Sequence, residues 1–152
     1  MSLFCRIMQT QDLEQILEFE TNKMQEAFPD EMERMFAQWN SRARKEAMEH
    51  YIPMGWSFIA FDDEKKIVGY FLAQPLLFLD GQTQSLWVEH IQHVSLQARD
   101  ELCDLAYKLS REKHFQRVYF PNVNGVSNSV STFKPENWAA PVLMVKTTKA
   151  ST

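Results

Sequence analysis

Glycine and cysteine are both scarce in this chain, which has four glycines and two cysteines among 152 residues. Phosphate-binding loops of the Walker and dinucleotide types need closely spaced glycines, and the sequence has no such spacing. A Gly-x-Ser-x-Gly turn is also missing, which argues against a serine hydrolase. Cys5 and Cys103 form neither a CxxC pair nor a zinc-ligand pattern with histidine. We therefore expect reduced, buried thiols, no metal site and a cytoplasmic location.

Positive charge and long apolar runs are limited as well. Lys and Arg total 16 against 20 Asp and Glu, which gives a net charge of −4 and a pI of about 5.6. This balance argues against a nucleic-acid partner and against binding to a membrane surface. No apolar run has the length of a membrane span or of the central region of a signal peptide. An acidic surface favours cationic amines as ligands, because it steers them electrostatically.

Apolar side chains are abundant enough to build a core. Hydrophobic residues make up 45% of the chain and aromatic residues 12%, which is typical of an ordered globular protein. The length fits a single domain with a sizeable core. We expect residues 1–147 to form that domain and residues 148–152 to be a flexible tail.

The central stretch, residues 86–120, carries the clearest pattern. Residues 86–94 are typical of a strand, residues 98–114 of an amphipathic helix, and residues 117–120 of a second strand. Two strands separated by a long helix pair in parallel, so a right-handed β-α-β crossover is predicted. Such a unit places a helix N-terminus beside a strand end, which favours an anionic ligand.

The flanking sequence predicts antiparallel strands around this unit. Two apolar runs on either side of the polar turn 62–66 are expected to pair in the middle of a sheet that is covered on both faces. Pro75 predicts a bend, and Asp80 and Gly81 predict a hairpin turn. The fold class is therefore mixed α/β (α+β), with a mostly antiparallel central sheet, helices on both faces and one parallel crossover. The other expected elements are a first strand (3–8), helices over 13–28 and 30–47, one helical turn within 121–134, and a last strand (141–146).

This order of elements resembles the GNAT superfamily of N-acetyltransferases over nearly the whole chain. The acetyl-CoA motif of that family begins with a valine at the end of the fourth strand and continues with Arg or Gln and then glycines. Val94 and Arg99 stand at the first two of these positions, while the glycine positions fall on Asp100, Leu102 and Asp104. The resemblance implies acetyl-CoA as co-substrate, held by backbone N–H groups at the start of the helix.

The residues at the glycine positions make this cofactor site divergent. Leu102 is expected to add a bulky side chain at the ligand surface. Asp100, Glu101 and Asp104 are expected in the first turns, where carboxylates stabilise a helix by about 0.3–1 kcal/mol each but repel a diphosphate. Arg99 offers one compensating cation. The alternative is an amphipathic helix that packs on the sheet and binds no cofactor.

The resemblance also implies contacts that need no particular side chain. In the family, the pantetheine arm pairs with the backbone of the fourth strand, where that strand splays apart from the fifth. Val94 and Leu96 stand at the matching positions. Acetyl-CoA binding through the backbone is therefore chemically permitted.

Amide formation from a thioester needs a base that takes a proton from the ammonium. Members of the family often carry this base four or six residues before the motif valine, and four before Val94 is His90, whose imidazole can accept a proton. Glu89 is the second candidate. Simple alternation places Glu89 on the face of the strand opposite to His90, and a bulge would change that face. The usual acid of the family is a tyrosine, and its position here is Phe133, which cannot donate a proton.

The sequence thus predicts an acetyl-CoA (acyl-CoA) dependent N-acyltransferase whose acceptor is a small-molecule or peptide amine. The alternative is a protein of the same fold that binds a ligand or partner without catalysis. Arg42 and Arg44 are either solvated helix charge or contacts to an acceptor or phosphate. A homodimer built through exposed strand edges or through the methionine-rich second helix is a further expectation.

Overall fold

A computed structural model describes residues 2–148, which form one five-stranded sheet and five α-helices. α1 begins where Leu13, Ile16, Leu17 and Met24 recur at helical spacing, and Pro29 follows its end at Ala27. The elements are β1 (Phe4–Ile7), α1 (Leu13–Ala27), α2 (Glu31–Trp39), α3 (Lys45–Tyr51), β2 (Phe58–Phe61), β3 (Ile67–Leu77), β4 (Gln84–His93), α4 (Leu96–Glu112), β5 (Arg117–Tyr119) and α5 (Val126–Ser129).

The strands lie in the sheet in their sequence order, β1-β2-β3-β4-β5. The first four strands pair antiparallel, and β4 pairs parallel with β5 after the crossover through α4. The predicted fold class is therefore confirmed, including the single parallel crossover.

Each face of the sheet has its own core. On one face, α4 and α5 cover a cluster that includes Phe71, Leu86 and Ile91. On the other face, α1 and α3 cover a cluster that includes Ile59 and Leu72. Full burial of side chains of this size stabilises the fold by roughly 1.5–3 kcal/mol each. The middle strands are apolar on both faces because both faces are covered.

Pro75, where a bend is predicted, does not interrupt β3. β3 continues to Leu77, and Pro75 pairs with Leu86. The N–H of Ala73 points toward the β2 side, where it donates to Ser57 Oγ at 3.1 Å. By alternation, the nitrogen of Pro75 points to the same side, beyond the end of β2, and no ladder donor is needed there.

The predicted second helix over 30–47 is also wrong, because it is broken into α2 and α3. The Asn40 side chain donates to the Phe36 carbonyl at 3.1 Å, and the Ser41 hydroxyl accepts from the Ala43 N–H at 3.0 Å. Such side chains offer the backbone an alternative to helical hydrogen bonds. The break leaves the apolar side chains of α2 exposed, with Trp39 at 61%.

The C-terminal segment carries the third correction. Residues 141–146 were predicted as a last strand, yet they form no strand in the structure. A strand is stable only when it pairs with a neighbour, and Pro135 and Pro141 each remove a backbone donor from this region. The expected turn within 121–134 is confirmed as α5 and a 3₁₀ turn, Ser131–Phe133. Except for Thr148, the predicted tail lies outside the described residues.

Over the described range 2–148, none of the helices has both the length and the apolar character needed to cross a bilayer. α4 is 17 residues long and carries charged side chains along its exposed side.

Candidate active site beside β4

A β-bulge in β4 decides which side chains meet on the α1 face of the sheet. His90 pairs with Leu72, but the next β3 residue, Ala73, pairs with Val88, which leaves Glu89 as the extra residue. Val88 and Ile91 then both lie in the core under α4. Strict alternation therefore fails here, and Glu89 and His90 both reach groups on the opposite face of the sheet.

His90 meets a buried carboxylate from α1. The imidazole Nε2 lies 3.4 Å from Glu20 Oε1, and the Tyr70 hydroxyl donates to the same oxygen. Glu20 is 8% exposed and Tyr70 is fully buried. Because a carboxylate only accepts, Nε2 is the donor, and Nδ1 keeps its lone pair as a proton acceptor. The neutral tautomer is thereby set up for general-base chemistry.

Tyr70 stabilises this group as a permanent donor. Burial raises the pKa of Tyr70 well above its ordinary value, and the neighbouring Glu20 carboxylate raises it further. The hydroxyl therefore stays protonated at neutral pH. The buried carboxylate receives the hydrogen bonds that a buried charge needs.

Sequence reasoning missed Glu20. It stands at a helical position that the apolar residues Ile16, Leu17 and Met24 predict to face the core. A carboxylate within an apolar stripe must find partners or remain costly, and that signal alone marks Glu20 as unusual. Its partners are 50 and 70 residues away along the chain, so no local pattern identifies them.

Glu89 is held by other contacts. Its Oε2 accepts from Trp87 Nε1 at 2.6 Å, and its Oε1 lies 3.8 Å from Arg42 Nε. Both oxygens are thus occupied, which makes Glu89 a poorer proton acceptor than His90. Arg42 neutralises this carboxylate, and Arg44 lies 3.9 Å from Glu46 and donates to the Trp39 carbonyl at 3.4 Å.

An open cleft of about 600 Å³ lies between α1 and the end of β4. A smaller cleft of about 230 Å³ lies between α1 and residues 38–46, and Glu20 is among the lining residues of both clefts. Glu20 is thus the member of the buried group that lies next to both clefts. The larger cleft is lined by Glu20, Lys23, Met24, Glu26, Ala27, Phe28, Gln92, His93 and Asn124.

His93 lies in the larger cleft with an unused ring nitrogen. Its Nε2 is buried and has no hydrogen-bond partner within residues 2–148. Burial lowers the pKa of His93, and the nearby Arg99 and Lys23 charges lower it further. The His93 residue thus lines the cleft while its unpartnered Nε2 is shielded from solvent.

β4 and β5 splay apart beside this cleft. Pairing covers only Ser85 to Trp87 on β4, so the strand from Val88 onward runs without β5. The Val94 N–H donates to the Val68 carbonyl at 2.9 Å and therefore points toward β3. By alternation, the backbone groups of Ile91 and His93 point to the open side. Val94 was expected to offer these backbone bonds, and the structure assigns that orientation to Ile91 and His93 instead.

The first turn of α4 also differs from the expectation. The helix begins at Leu96, two residues earlier than predicted, and the Ser95 hydroxyl caps it by accepting from the Ala98 N–H at 3.1 Å. No acidic residue falls in the first turn. Asp100, Glu101 and Asp104 lie further along the helix, where their repulsion of an anion at the N-terminus is weaker.

The expected position of the Leu102 side chain is wrong. Leu102 is fully buried in the core, and its Cδ1 lies so near Gly69 that a Cβ there would come within 2.9 Å. It therefore packs α4 onto β3 and does not obstruct a ligand at the helix surface. The absence of a side chain at Gly69 allows this close approach.

Arg99 reaches across to α5. Its Nε donates to Ser129 Oγ at 2.7 Å and its Nη1 to the Asn124 carbonyl at 3.2 Å, while the Ser129 hydroxyl donates to Asp100 at 2.6 Å. A Cβ at Gly125 would lie 2.1 Å from Arg99 Nη1. Arg99 therefore clamps residues 124–129, and Asp100 shares that network.

Metal and thiol chemistry find little support within the described part of the chain. No group of three or more His, Cys, Asp or Glu side chains is arranged to hold a metal ion there. Burial raises the pKa of Cys103 to about 11, which keeps it a neutral thiol at physiological pH. Phe133, at the position of the expected acid, stacks on Tyr107 with ring centroids 3.9 Å apart.

No family model and no curated protein matches this sequence. Solved structures do match its fold. A predicted acetyltransferase from Clostridium acetobutylicum, solved with acetyl-CoA, has a TM-score of 0.66 at 8% identity and covers 95% of this chain and 96% of its own. The ribosomal-protein-alanine N-acetyltransferase of Brucella melitensis biovar Abortus 2308 has a TM-score of 0.61 at 12% identity, covering 95% and 100%. The polyamine N-acetyltransferase of Drosophila melanogaster has a TM-score of 0.59 at 15% identity, covering 87% and 82%.

These neighbours are acetyltransferases by name, and the chain shares their fold over 87–95% of its length. The protein therefore has the GNAT fold that its order of elements resembles. At such low identity the likeness is one of architecture. Function has to be argued from the residues of this chain.

Proposed function

We propose that this protein is an acetyl-CoA dependent N-acyltransferase that acts on a small-molecule or peptide amine in the cytoplasm. The observation that carries the proposal is the buried Glu20–His90–Tyr70 group beside the open edge of β4. The base lies on β4, the same strand whose end lines the larger cleft and leads into α4, so one strand joins the groups that acyl transfer needs.

Acetyl-CoA fits this site mainly through the backbone. The open-side groups of Ile91 and the carbonyl of His93 suit the amides of a pantetheine arm, whereas the His93 N–H already donates to Gln92 Oε1 at 3.3 Å. The first turn of α4 from Leu96 suits the diphosphate. The Val94 N–H bonds to the Val68 carbonyl, and Arg99 bonds to the Asn124 carbonyl, so both position the backbone around the site. Leu102 packs α4 on the sheet. When bound, acetyl-CoA supplies the activated acetyl group as a thioester.

His90 then acts as the general base. Its Nδ1 takes the proton from the acceptor ammonium, and Glu20 stabilises the resulting imidazolium through Nε2. The amine nitrogen attacks the thioester carbon, the C–N bond forms, the C–S bond breaks, and the nitrogen releases its second proton to solvent. Since Phe133 cannot serve as an acid, the leaving thiolate takes its proton from solvent. Glu89 is the second candidate base.

A non-catalytic ligand-binding role is the second candidate function, and one observation favours it. Arg99, which stands at the cation position of the motif, is already bonded to Ser129 and Asn124. If residues 124–129 stay clamped, they narrow the space between α4 and α5. A protein closed in this way would bind a ligand or a partner without turnover.

An acetyl-transfer assay separates the two functions. The panel comprises agmatine and a peptide with N-terminal alanine, after the acceptors of two structural neighbours, and an aminoglycoside as a further cationic amine. Release of the CoA thiol is expected with at least one cationic amine. His90→Ala should lower kcat at pH 7–8 by roughly 10²-fold or more, because a positioned general base contributes on that scale.

His50→Ala is the matched control, since His50 is exposed and bonds only to a side-chain oxygen of Gln74 at 3.3 Å among the contacts described. The control should keep wild-type turnover. Full activity in His90→Ala would reject His90 as the base. No turnover with any amine, together with measurable acetyl-CoA binding, would favour the non-catalytic role.

A further inference from the structure

The helix α2 directs its large apolar side chains away from the rest of the chain. Their exposed fractions are 65%, 44%, 55% and 61% for Met32, Met35, Phe36 and Trp39. These four residues have the spacing of a single helix face, and we call them the α2 stripe. The half-buried residues of α2 are Arg34 and Ala37, which lie on the opposite face. A surface helix normally turns its apolar face toward the core, so α2 has the opposite orientation.

The chain gives α2 little support of its own. Within residues 2–148, none of the nine residues of this helix is buried. The Asp30 carboxylate caps the helix by accepting from the Glu33 N–H at 3.1 Å, and Arg34 donates to the Phe28 carbonyl at 3.3 Å. A helix this short is marginal in water unless other groups pack against it. A partner that covers the α2 stripe would therefore stabilise the helix.

The charges at the two ends of α2 are opposite in sign. The acids at its start are Asp30, Glu31 and Glu33, and the bases just beyond its end are Arg42, Arg44 and Lys45. Arg44 Nη1 donates to the Trp39 carbonyl at 3.4 Å, which places this guanidinium at the C-terminal end of the helix. The Arg44 contact with Glu46 at 3.9 Å is exposed on both sides, so it contributes little and can be exchanged.

We propose that α2 pairs antiparallel with α2 of a second copy of this chain across a two-fold axis. A two-fold pair sets one surface against itself, so the stripe of each copy covers the stripe of the other. Antiparallel alignment also brings the acidic start of each helix beside Arg44 of the other copy. A partner of one charge sign would be attracted to one end of α2 and repelled by the other. The inference goes beyond the proposed function and does not depend on it.

Sedimentation velocity and hydrogen exchange of the full chain, from low to hundreds of micromolar, test the pairing. Four apolar side chains per copy make a small interface, so we expect a dimer that dissociates on dilution. The amides of residues 31–39 should be protected in the dimer and exchange rapidly in the monomer. Phe36→Asp should raise the dimer dissociation constant by about 10-fold or more, because it places a charge in an apolar contact. Phe36 is exposed in the single chain, so the monomer should keep its circular dichroism spectrum.

The charges test the antiparallel alignment. Glu33→Arg and Arg44→Glu should each weaken the dimer by about 3-fold or more, because like charges then meet at both ends of the helix pair. An equal mixture of the two variants should associate more tightly than either variant alone, since a mixed pair sets opposite charges together at both ends. Wild-type association of Arg44→Glu, or a mixture no tighter than its components, would contradict the alignment.

Phe4→Asp is the matched control, because Phe4 is 61% exposed on β1, at one edge of the sheet. It should leave the dimer unchanged. A monomer at every concentration would overturn the proposal. So would a dimer that persists in Phe36→Asp but is lost in Phe4→Asp or in Leu143→Asp, because the interface would then lie on β1 or in the exposed C-terminal segment.

Discussion

The two ends of the proposed reaction site are built in different ways. Beside the middle of β4, Glu20, Tyr70 and His90 form a buried group with complementary donors and acceptors. At the start of α4, the expected cofactor cation, Arg99, is bonded to the chain itself through Ser129. The base side is thus complete in side chains, and the cofactor side relies on backbone groups.

This difference indicates which side-chain interactions a divergent site can lose. A diphosphate can be held by N–H groups at a helix start whatever the side chains are. A proton can be taken only by a suitable side chain in the right tautomer. We therefore expect catalysis to be sensitive to single side chains near β4, and acetyl-CoA affinity to be tolerant of changes along α4.

After the loss of His90 itself, the largest effect is expected for Glu20→Gln. The amide keeps the shape but removes the charge that stabilises the His90 imidazolium, so kcat should fall by about 10- to 100-fold. The acid limb of the pH–rate profile should move to lower pH, which a purely structural loss would not cause. Glu18→Gln, an exposed change on the same helix, is the control. An acid limb at the same pH in Glu20→Gln and in the wild type would show that Glu20 takes no part in the proton transfer.

The next effect concerns the clamp at the cofactor side. In Gly125→Ala, the new Cβ would meet Arg99 Nη1 at 2.1 Å, and the φ of +79° is unfavourable for alanine. Gly55→Ala has a similar φ of +81° with no atom within 4 Å of the Cβ, so it carries the backbone cost alone. Denaturant unfolding should show that the free energy of unfolding is lower in Gly125→Ala than in Gly55→Ala by about 1–3 kcal/mol. Equal losses would show that the clamp is loose in solution.

A smaller effect on affinity is expected for Arg99→Ala. If acetyl-CoA is held by the backbone, its dissociation constant should change by less than about 3-fold, although the fold loses hydrogen bonds worth about 1–3 kcal/mol. Titration calorimetry well below the unfolding temperature measures the affinity. Arg111→Ala, an exposed arginine on the same helix, controls for net charge. A loss of affinity above 10-fold would show that Arg99 binds the phosphates of acetyl-CoA.

The smallest effect is a pH dependence from His93, which lies between the two regions. Burial lowers its pKa in the folded chain, so the unfolded chain takes up this proton at higher pH. Its contribution to stability should therefore fall as pH drops below about 6.5 and on through the lower folded-state pKa. Melting temperatures from pH 8 to 5 should fall less steeply in His93→Gln than in the wild type or in His50→Gln. Parallel curves for all three would contradict the assignment.

The sequence was sufficient for the framework of β4, α4 and β5, because the spacing of apolar residues and the length of the connection restrict the topology. Together with the family resemblance, the sequence was also sufficient to identify His90 as a candidate base. It could not place Glu89, since the bulge adds one residue and reverses the alternation after it.

Other errors have non-local causes. Glu20 meets Tyr70 and His90 only in the folded chain. The predicted strand over 141–146 has the right composition but pairs with no strand within residues 2–148, and a strand needs such pairing to be stable. The rotation of α4 on the sheet is set by the packing of Leu102 against Gly69, which no local pattern shows. For that reason the sequence wrongly predicted Leu102 at the surface that faces a ligand.

The central claim is that the cleft beside β4 binds acetyl-CoA although the glycine positions of the motif are replaced. Titration calorimetry of the wild-type chain with acetyl-CoA, paired with thermal unfolding at each ligand concentration, tests it most directly. The account predicts saturable binding of one acetyl-CoA per chain and a melting temperature that rises with ligand concentration. No heat and no thermal shift at millimolar acetyl-CoA would contradict it.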